Sequence, residues 1–156
     1  LREEVQKLHS NGVRFRVVGD VSVLGAETRS LIEEAEALTA ANSRLCLNVA
    51  VNYGGRWDIE QAVAKATAAG ESAAFAQWLS FAGQPDPDLF IRTGGERRVS
   101  NFMLWQLAYT ELFFSDILWP DFDEAELASA LAWFAGRERR FGKTGEQVRV
   151  LSTTPV

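Results

Sequence analysis

Short apolar runs alternate with helical patterns along this sequence, and this alternation restricts the fold more than any other feature. Four segments have the length and apolar character of buried strands: Val13–Val18, Leu45–Val51, Leu89–Ile91 and Glu111–Phe114. Strands that alternate with helices form parallel sheets covered by helices on both faces. The sequence therefore predicts an α/β fold with a central, mostly parallel sheet flanked by helices, in a single domain over residues 1–156.

Helices are predicted in the intervening segments. Six segments are expected to be helical: Leu1–His9, Glu27–Ala41, Trp57–Ala69, Ser72–Phe81, Asn101–Tyr109 and Glu124–Arg139. The side chains of Ser72, Ser100 and Asp123 suit N-caps, because their oxygens can accept a hydrogen bond from a first-turn N–H group. One more short strand is predicted at Val148–Leu151.

The overall charge is negative, but the basic residues form two clusters. A net charge of −5 argues against nucleic acid as the main partner. Basic side chains gather at Arg92–Arg98 and Arg137–Lys143, which indicates local anion sites on an acidic protein. The single cysteine, Cys46, cannot form an internal disulfide, and no stretch approaches the ~20 apolar residues of a membrane span. We therefore expect a reduced, cytoplasmic setting.

Polar, glycine-containing segments follow three of the predicted strands. These segments are Gly19-Asp20, Asn52–Arg56 and Arg92–Glu96. Parallel sheets of this class bind ligands beyond the carboxyl ends of their strands. The middle segment has an alternative interpretation, because Gly54 and Gly55 could simply ease the turn from a strand into a helix.

The segment after the third strand has the composition of an anion site. Gly94 and Gly95 allow a sharp turn, while Arg92, Arg97 and Arg98 carry planar donor groups that match phosphate oxygens. Ser100 adds a hydroxyl, and a helix that began there would offer free N–H groups to an anion. The competing interpretation is structural: Arg92 and Arg98 could form surface salt bridges with Glu96 or Asp88, and Ser100 could be only a helix cap.

The same region resembles a known family. From Ile91 to Phe114 the sequence reads I-R-T-G-G-E-x-R-x-S-N-F-x-L-W-Q-x-A-Y-x-E-L-x-F, and L-W-P-D-F follows. This run resembles the cis-prenyltransferases, whose bacterial type is undecaprenyl diphosphate synthase. The resemblance extends over nearly the whole chain through further matching segments: Gly19-Asp20, Leu38–Ala40, Asn52–Asp58 and Arg137–Gly142.

The resemblance implies an enzyme. It implies the undecaprenyl diphosphate synthase-like fold and a magnesium-dependent transferase that adds isopentenyl diphosphate to an allylic diphosphate such as farnesyl diphosphate. The resemblance further implies that the cis-polyprenyl product is undecaprenyl diphosphate, which would carry cell-wall sugars, and that the cytoplasmic protein would meet the membrane peripherally through this lipid.

The resemblance also implies site residues. Arg92, Arg98 and Ser100 would bind the diphosphate of isopentenyl diphosphate, and Glu111 would contribute to the magnesium site. Arg140 and Gly142 fit an Arg-x-Gly element that reaches this site across a homodimer interface. Five aromatic residues are expected in core and interface packing, with the lining of a lipid tunnel as the alternative: Phe102, Trp105, Phe113, Phe114 and Trp119.

One family feature is absent from the sequence. Family members have an Asp-Gly-Asn-Gly-Arg-Trp segment after their first strand, and its aspartate is the principal catalytic carboxylate. We expect that segment upstream of Leu1, so that these residues form the C-terminal two-thirds of the domain and cannot turn over alone. An alternative is a non-catalytic partner subunit of a heteromeric prenyltransferase, although such partners usually lose the diphosphate-binding residues. An unrelated phosphate-binding α/β module is a third alternative.

Overall fold

The computed structural model describes residues 2–138, which divide into two compact units after Gln84. The first unit has the following elements in chain order: α1 (Arg2–Ser10), β1 (Val13–Val18), a 3₁₀ turn (Val21–Val23), α2 (Ala26–Thr39), β2 (Leu45–Ala50), α3 (Gly55–Ala68) and a 3₁₀ segment (Ser72–Trp78). β1 and β2 are parallel, with Val13 opposite Leu45 and Val18 opposite Ala50.

The core of the first unit lies where two helices pack on β1. Val5 of α1, Phe15 of β1 and Ala35 of α2 are buried together, and Leu8 and Val17 pack against them. The alternating apolar positions of β1 explain this arrangement, because alternate side chains of a strand point to the same face.

The edge of β1 that does not pair with β2 is covered by side chains that follow or belong to α2. The Phe15 N–H donates to Thr39 Oγ1 at 3.0 Å, and the Val17 N–H donates to Glu36 Oε1 at 2.7 Å. Asn42 Nδ2 donates to the Val13 carbonyl at 2.8 Å. These contacts satisfy three backbone groups on that edge of β1.

The second unit contains β3 (Leu89–Arg92), a 3₁₀ turn (Gln106–Tyr109), β4 (Glu111–Phe114), a second 3₁₀ turn (Trp119–Asp121) and α4 (Glu124–Ala135). β3 and β4 are parallel, with Leu89 opposite Glu111 and Arg92 opposite Phe114. Asp123 caps α4 as predicted, since its Oδ1 accepts from the Glu126 N–H at 3.1 Å.

The α/β class and the parallel strand direction are confirmed. Within residues 2–138 the four strands form two parallel pairs, one in each unit. The single domain over residues 1–156 stays a prediction. No helix in the described part of the chain is both long and apolar enough to cross a bilayer.

Two predicted helices are wrong. Ser100 and Met103 have φ angles of 54° and 46°, in the left-handed region, so no right-handed helix runs through them and only the turn at Gln106–Tyr109 is helical. Ser100 therefore caps no α-helix. The segment after α3 is a 3₁₀ turn that is interrupted at Ala74, and Ser72 is its first residue rather than its cap.

Two helix ends also differ from the prediction. α2 ends at Thr39, and α4 ends at Ala135, with Gly136 as its C-cap. The strand predicted at Val148–Leu151 lies outside the described residues.

Candidate functional site

The loop after β3 turns at two glycines and is attached to the segment that follows β4. Gly94 and Gly95 have φ angles of 85° and 78°, which side chains strongly disfavour. The Gly94 N–H donates to the Ile117 carbonyl at 2.8 Å, and the Gly95 N–H donates to the Ser115 carbonyl at 3.0 Å. The glycines therefore shape and anchor the loop, while their N–H groups are already used within the protein.

Arg92 closes this loop. Its Nη1 donates to Ser100 Oγ at 3.0 Å and also to the carbonyl of Arg98. The structure thus brings the three predicted diphosphate ligands, Arg92, Arg98 and Ser100, into one group, which we call the arginine-serine cluster. Arg98 and Ser100 are exposed, so the cluster is open to a ligand.

Two arginines of the loop form ion pairs with carboxylates. Arg98 forms an ion pair with Glu96, which is one of the contacts that the structural interpretation expected. Arg97 turns to Asp116 at 3.6 Å and lies outside the arginine-serine cluster. Exposed ion pairs contribute only about 0.2–1 kcal/mol, so a dense anion can displace Glu96 from Arg98.

The chemistry of the arginine-serine cluster fits a diphosphate. Guanidinium groups form charge-assisted hydrogen bonds to phosphate oxygens, often two at a time. The Ser100 oxygen accepts from Arg92, which leaves its hydroxyl proton to donate to a further oxygen.

Glu111 lies at the other end of the same strand pair. It is opposite Leu89, whereas Arg92 is opposite Phe114, so Glu111 is displaced from Arg92 by roughly 10 Å along the strands at ~3.3 Å per residue. Its Oε2 accepts from Arg137 Nε at 2.9 Å, and only 20% of its side chain is exposed.

Glu111 fits magnesium as one ligand among several. Carboxylate oxygens are suitable ligands, and protein-bound Mg²⁺ usually combines one or two carboxylates with water and substrate phosphates. Residues 2–138 contain no group of three or more His, Cys, Asp or Glu side chains that could hold a metal by themselves. Any magnesium site that includes Glu111 must therefore be completed by a diphosphate or by other groups.

The segment after β2 is organised around a buried carboxylate that the sequence did not single out. Asp58 is 1% exposed. It accepts hydrogen bonds from the Tyr53 hydroxyl at 3.0 Å, from Gln61 Nε2 at 3.0 Å, and from the N–H and hydroxyl of Ser80 at 2.8 and 2.7 Å. The Tyr53 ring also packs edge-on against Phe81, with centroids 5.6 Å apart. These contacts favour the structural interpretation of this segment.

Gly19-Asp20 meets the same segment at the carboxyl ends of β1 and β2. Gly19 has a φ of 114°, and a Cβ there would lie 2.1 Å from the Val51 carbonyl oxygen, so a larger residue does not fit. Hydrogen bonds from the hydroxyl and the N–H of Ser22 lower the pKa of the Asp20 carboxyl. Asp20 thereby caps the turn that follows β1.

Two predicted site residues, Arg140 and Gly142, lie outside the described residues. Arg137 is the one residue of the C-terminal basic cluster whose contact with a predicted site residue is seen, through Glu111. No signal in the sequence pointed to that contact, because 26 residues separate the two side chains.

Known proteins share this sequence and fold. The Prenyltransf family model, described as undecaprenyl diphosphate synthase, matches residues 1–142. An isoprenyl transferase from Nitrosomonas europaea is 56% identical over 155 residues, which cover 95% of this chain and 59% of the relative. A ditrans,polycis-undecaprenyl-diphosphate synthase ((2E,6E)-farnesyl-diphosphate specific) from Vibrio vulnificus is 48% identical, with coverage of 97% and 64%.

A solved structure agrees with these relatives. The lavandulyl diphosphate synthase from Lavandula x intermedia, in complex with dimethylallyl diphosphate, is 40% identical with a TM-score of 0.83, over 91% of this chain and 66% of that one. This chain spans about three fifths of the length of the curated relatives that it matches. From the matched residues and the shared fold, it belongs to the undecaprenyl diphosphate synthase family of prenyltransferases.

Proposed function

We propose that this protein is a magnesium-dependent cis-prenyltransferase. It condenses isopentenyl diphosphate with an allylic diphosphate, farnesyl diphosphate, and the product is undecaprenyl diphosphate, a lipid carrier for cell-wall biogenesis. The single observation that carries the proposal is the arginine-serine cluster, in which the half-buried Arg92 at the end of β3 meets the exposed Arg98 and Ser100 of the following loop. The names of the bacterial relatives support the same reaction.

In this proposal the arginine-serine cluster binds the diphosphate of isopentenyl diphosphate. The incoming diphosphate replaces Glu96 as the partner of Arg98, while Arg92 keeps its contact with Ser100 and offers its remaining N–H groups. Because several donors fix one end of the substrate, its double bond is held in one orientation toward the allylic carbon.

Glu111 is the proposed magnesium ligand of this chain. When bound, magnesium stabilises the negative charge that develops on a departing diphosphate. The principal catalytic aspartate, expected upstream of Leu1, stays a prediction.

We also propose a homodimer in the cytoplasm that meets the membrane only through its lipid product. The second unit exposes several large apolar side chains, and Trp119 is 76% exposed although it stacks on Phe122. Aromatic side chains of this kind are enriched in protein interfaces. In the homodimer, Arg140 and Gly142 would complete the isopentenyl diphosphate site of the partner.

The alternative, a non-catalytic partner subunit, is not favoured. Such a subunit would not need the residues that bind diphosphate, but this chain keeps Arg92, Arg98, Ser100 and Glu111. The closely similar relatives are named as transferases and synthases.

Incorporation of labelled isopentenyl diphosphate into extractable lipid by the full-length protein tests the proposal, with farnesyl diphosphate and magnesium present. We expect incorporation by the unchanged protein and an increase in the KM for isopentenyl diphosphate of at least about 10-fold in Arg98→Ala, because a charged hydrogen bond contributes about 1.5–3 kcal/mol. Arg97→Ala is the matched control, since Arg97 is on the same loop but pairs with Asp116. Equal effects of the two substitutions would contradict the assigned site, and no incorporation by the unchanged protein would contradict the proposed reaction.

A further inference from the structure

We propose that Arg137 is a positioning residue that holds one oxygen of the Glu111 carboxylate and leaves the other oxygen for the metal. The inference rests on the proposed function, in which Glu111 is a magnesium ligand. Neither the family resemblance nor the sequence assigned Arg137 the task of orienting Glu111.

Among the described residues of the second unit, this contact is more sheltered than the ion pairs of Arg97 and Arg98. Arg137 Nε donates to Glu111 Oε2 at 2.9 Å, and the Glu111 side chain is only 20% exposed, against about half for Arg137. Within residues 2–138, Oε1 of Glu111 accepts no hydrogen bond from a side chain. Each carboxylate oxygen has two lone-pair positions, so Oε1 can bind a cation while Oε2 accepts from Arg137.

Arg137 is itself held in place. The Arg137 guanidinium lies over the ring of Trp133, 5.2 Å from the centroid, and the backbone N–H of Arg137 donates to the Phe134 carbonyl at 2.9 Å. The Trp133 ring packs on Phe113, two residues beyond Glu111 on β4, with centroids 5.4 Å apart. β4 is thus joined to α4 through the two aromatic rings and to the segment that follows α4 through the ion pair.

This arrangement uses properties that are specific to arginine. The planar guanidinium can stack on an aromatic face and donate from its edge at the same time, whereas a lysine ammonium is a point charge on a flexible stem. A carboxylate that binds a metal is generally oriented by a further hydrogen bond, and loss of that partner typically weakens metal binding about 10–100-fold. Arg137 has the position, the charge and the support that such a partner requires.

The test measures binding rather than turnover. The dissociation constant of isopentenyl diphosphate is determined by equilibrium dialysis with the purified full-length protein, without an allylic substrate and over a series of magnesium concentrations. The unchanged protein is expected to bind isopentenyl diphosphate more tightly as magnesium is added. Glu111→Gln is expected to abolish that gain.

Arg137→Gln is expected to keep the magnesium-free affinity and to need about 10-fold more magnesium for half of the gain. Arg137→Lys should need an intermediate concentration, because it restores the charge but not the stacking. Lys7→Gln removes an exposed ion pair with Glu4 in the first unit and serves as the control that behaves like the unchanged protein.

Three results would overturn the inference, and they are distinguishable. An unchanged magnesium requirement in Arg137→Gln and Arg137→Lys would make the contact a salt bridge without a function. A lower requirement would mean that Arg137 competes with the metal for Glu111. The absence of any magnesium effect in the unchanged protein would remove the proposed metal site itself, together with this inference.

Discussion

Two loops of this protein carry the same pair of adjacent glycines after a parallel strand, but the structure uses them differently. In the loop after β2, Gly54 is extended, with a φ of −146°, and the chain enters α3 directly. In the loop after β3, Gly94 and Gly95 both have positive φ, and the chain enters an irregular turn. A shared Gly-Gly pair therefore does not indicate a shared conformation.

The charged groups of the two loops differ in the same way. The first loop leads into α3, whose first turn directs the Asp58 carboxylate into the protein, where it accepts hydrogen bonds from Tyr53 and Ser80. The second loop leaves Arg98 and Ser100 at the surface. Burial thus separates a loop that stabilises the fold from a loop that can bind a ligand, and each of the following experiments tests that separation.

The largest effect is expected from the buried carboxylate. Asp58→Ala leaves the donors of Tyr53, Gln61 and Ser80 without their partner, and we expect a loss of about 3 kcal/mol in the free energy of unfolding. Urea denaturation measures it, with Asp116→Ala, an exposed carboxylate beside the second loop, as the control. A loss below about 1 kcal/mol, comparable to the control, would show that Asp58 does not organise the first loop.

A smaller effect, on binding alone, is expected from Arg92. Arg92→Ala should weaken isopentenyl diphosphate binding by about 10-fold or more, because a charged hydrogen bond contributes about 1.5–3 kcal/mol. Equilibrium dialysis measures the affinity. Arg56→Ala changes the arginine that follows the first glycine pair, and we expect it to leave the affinity unchanged. Equal weakening by both substitutions would place the first loop in the binding site as well.

The conformation of the second loop can be tested at Gly94. A Cβ there would meet no atom within 4 Å, so the cost of Gly94→Ala comes from its positive φ and should be about 1 kcal/mol. Gly25→Ala has equally open space but a φ of −60°, and it should be nearly neutral. Thermal unfolding compares the two variants. Equal stability of both would mean that the glycine pair does not require its left-handed conformation.

The smallest effect is expected from Glu96. Glu96→Gln removes the anion that pairs with Arg98, so isopentenyl diphosphate should bind about 1.4–5-fold more tightly, in line with the 0.2–1 kcal/mol of an exposed ion pair. The gain should shrink in high salt, which screens exposed charges. Weaker binding in this variant would indicate that Glu96 orients Arg98 rather than competing with the ligand.

Much of the secondary structure was accessible from the sequence because its signals are local. The limits of β1 and β4 and the cap at Asp123 were predicted correctly from apolar runs and a single polar side chain. The helix expected at Asn101–Tyr109, by contrast, was predicted wrongly. A serine before an asparagine in an apolar context matches an N-cap, and only the hydrogen bond from Arg92 and the positive φ show the different backbone.

The composition of the candidate site was also readable from the sequence, since its arginines, glycines and serine lie within nine positions and the two glycines favour a turn. Its wiring was not. Asp58 accepts from Ser80 across 22 residues, and Glu111 accepts from Arg137 across 26. A carboxylate in a first helical turn or at a strand start is normally solvated, and nothing local reveals that it is buried or paired. The composition of the site and the limits of several strands thus follow from local sequence, whereas burial and hydrogen-bond partners depend on distant segments that only the folded chain brings into contact.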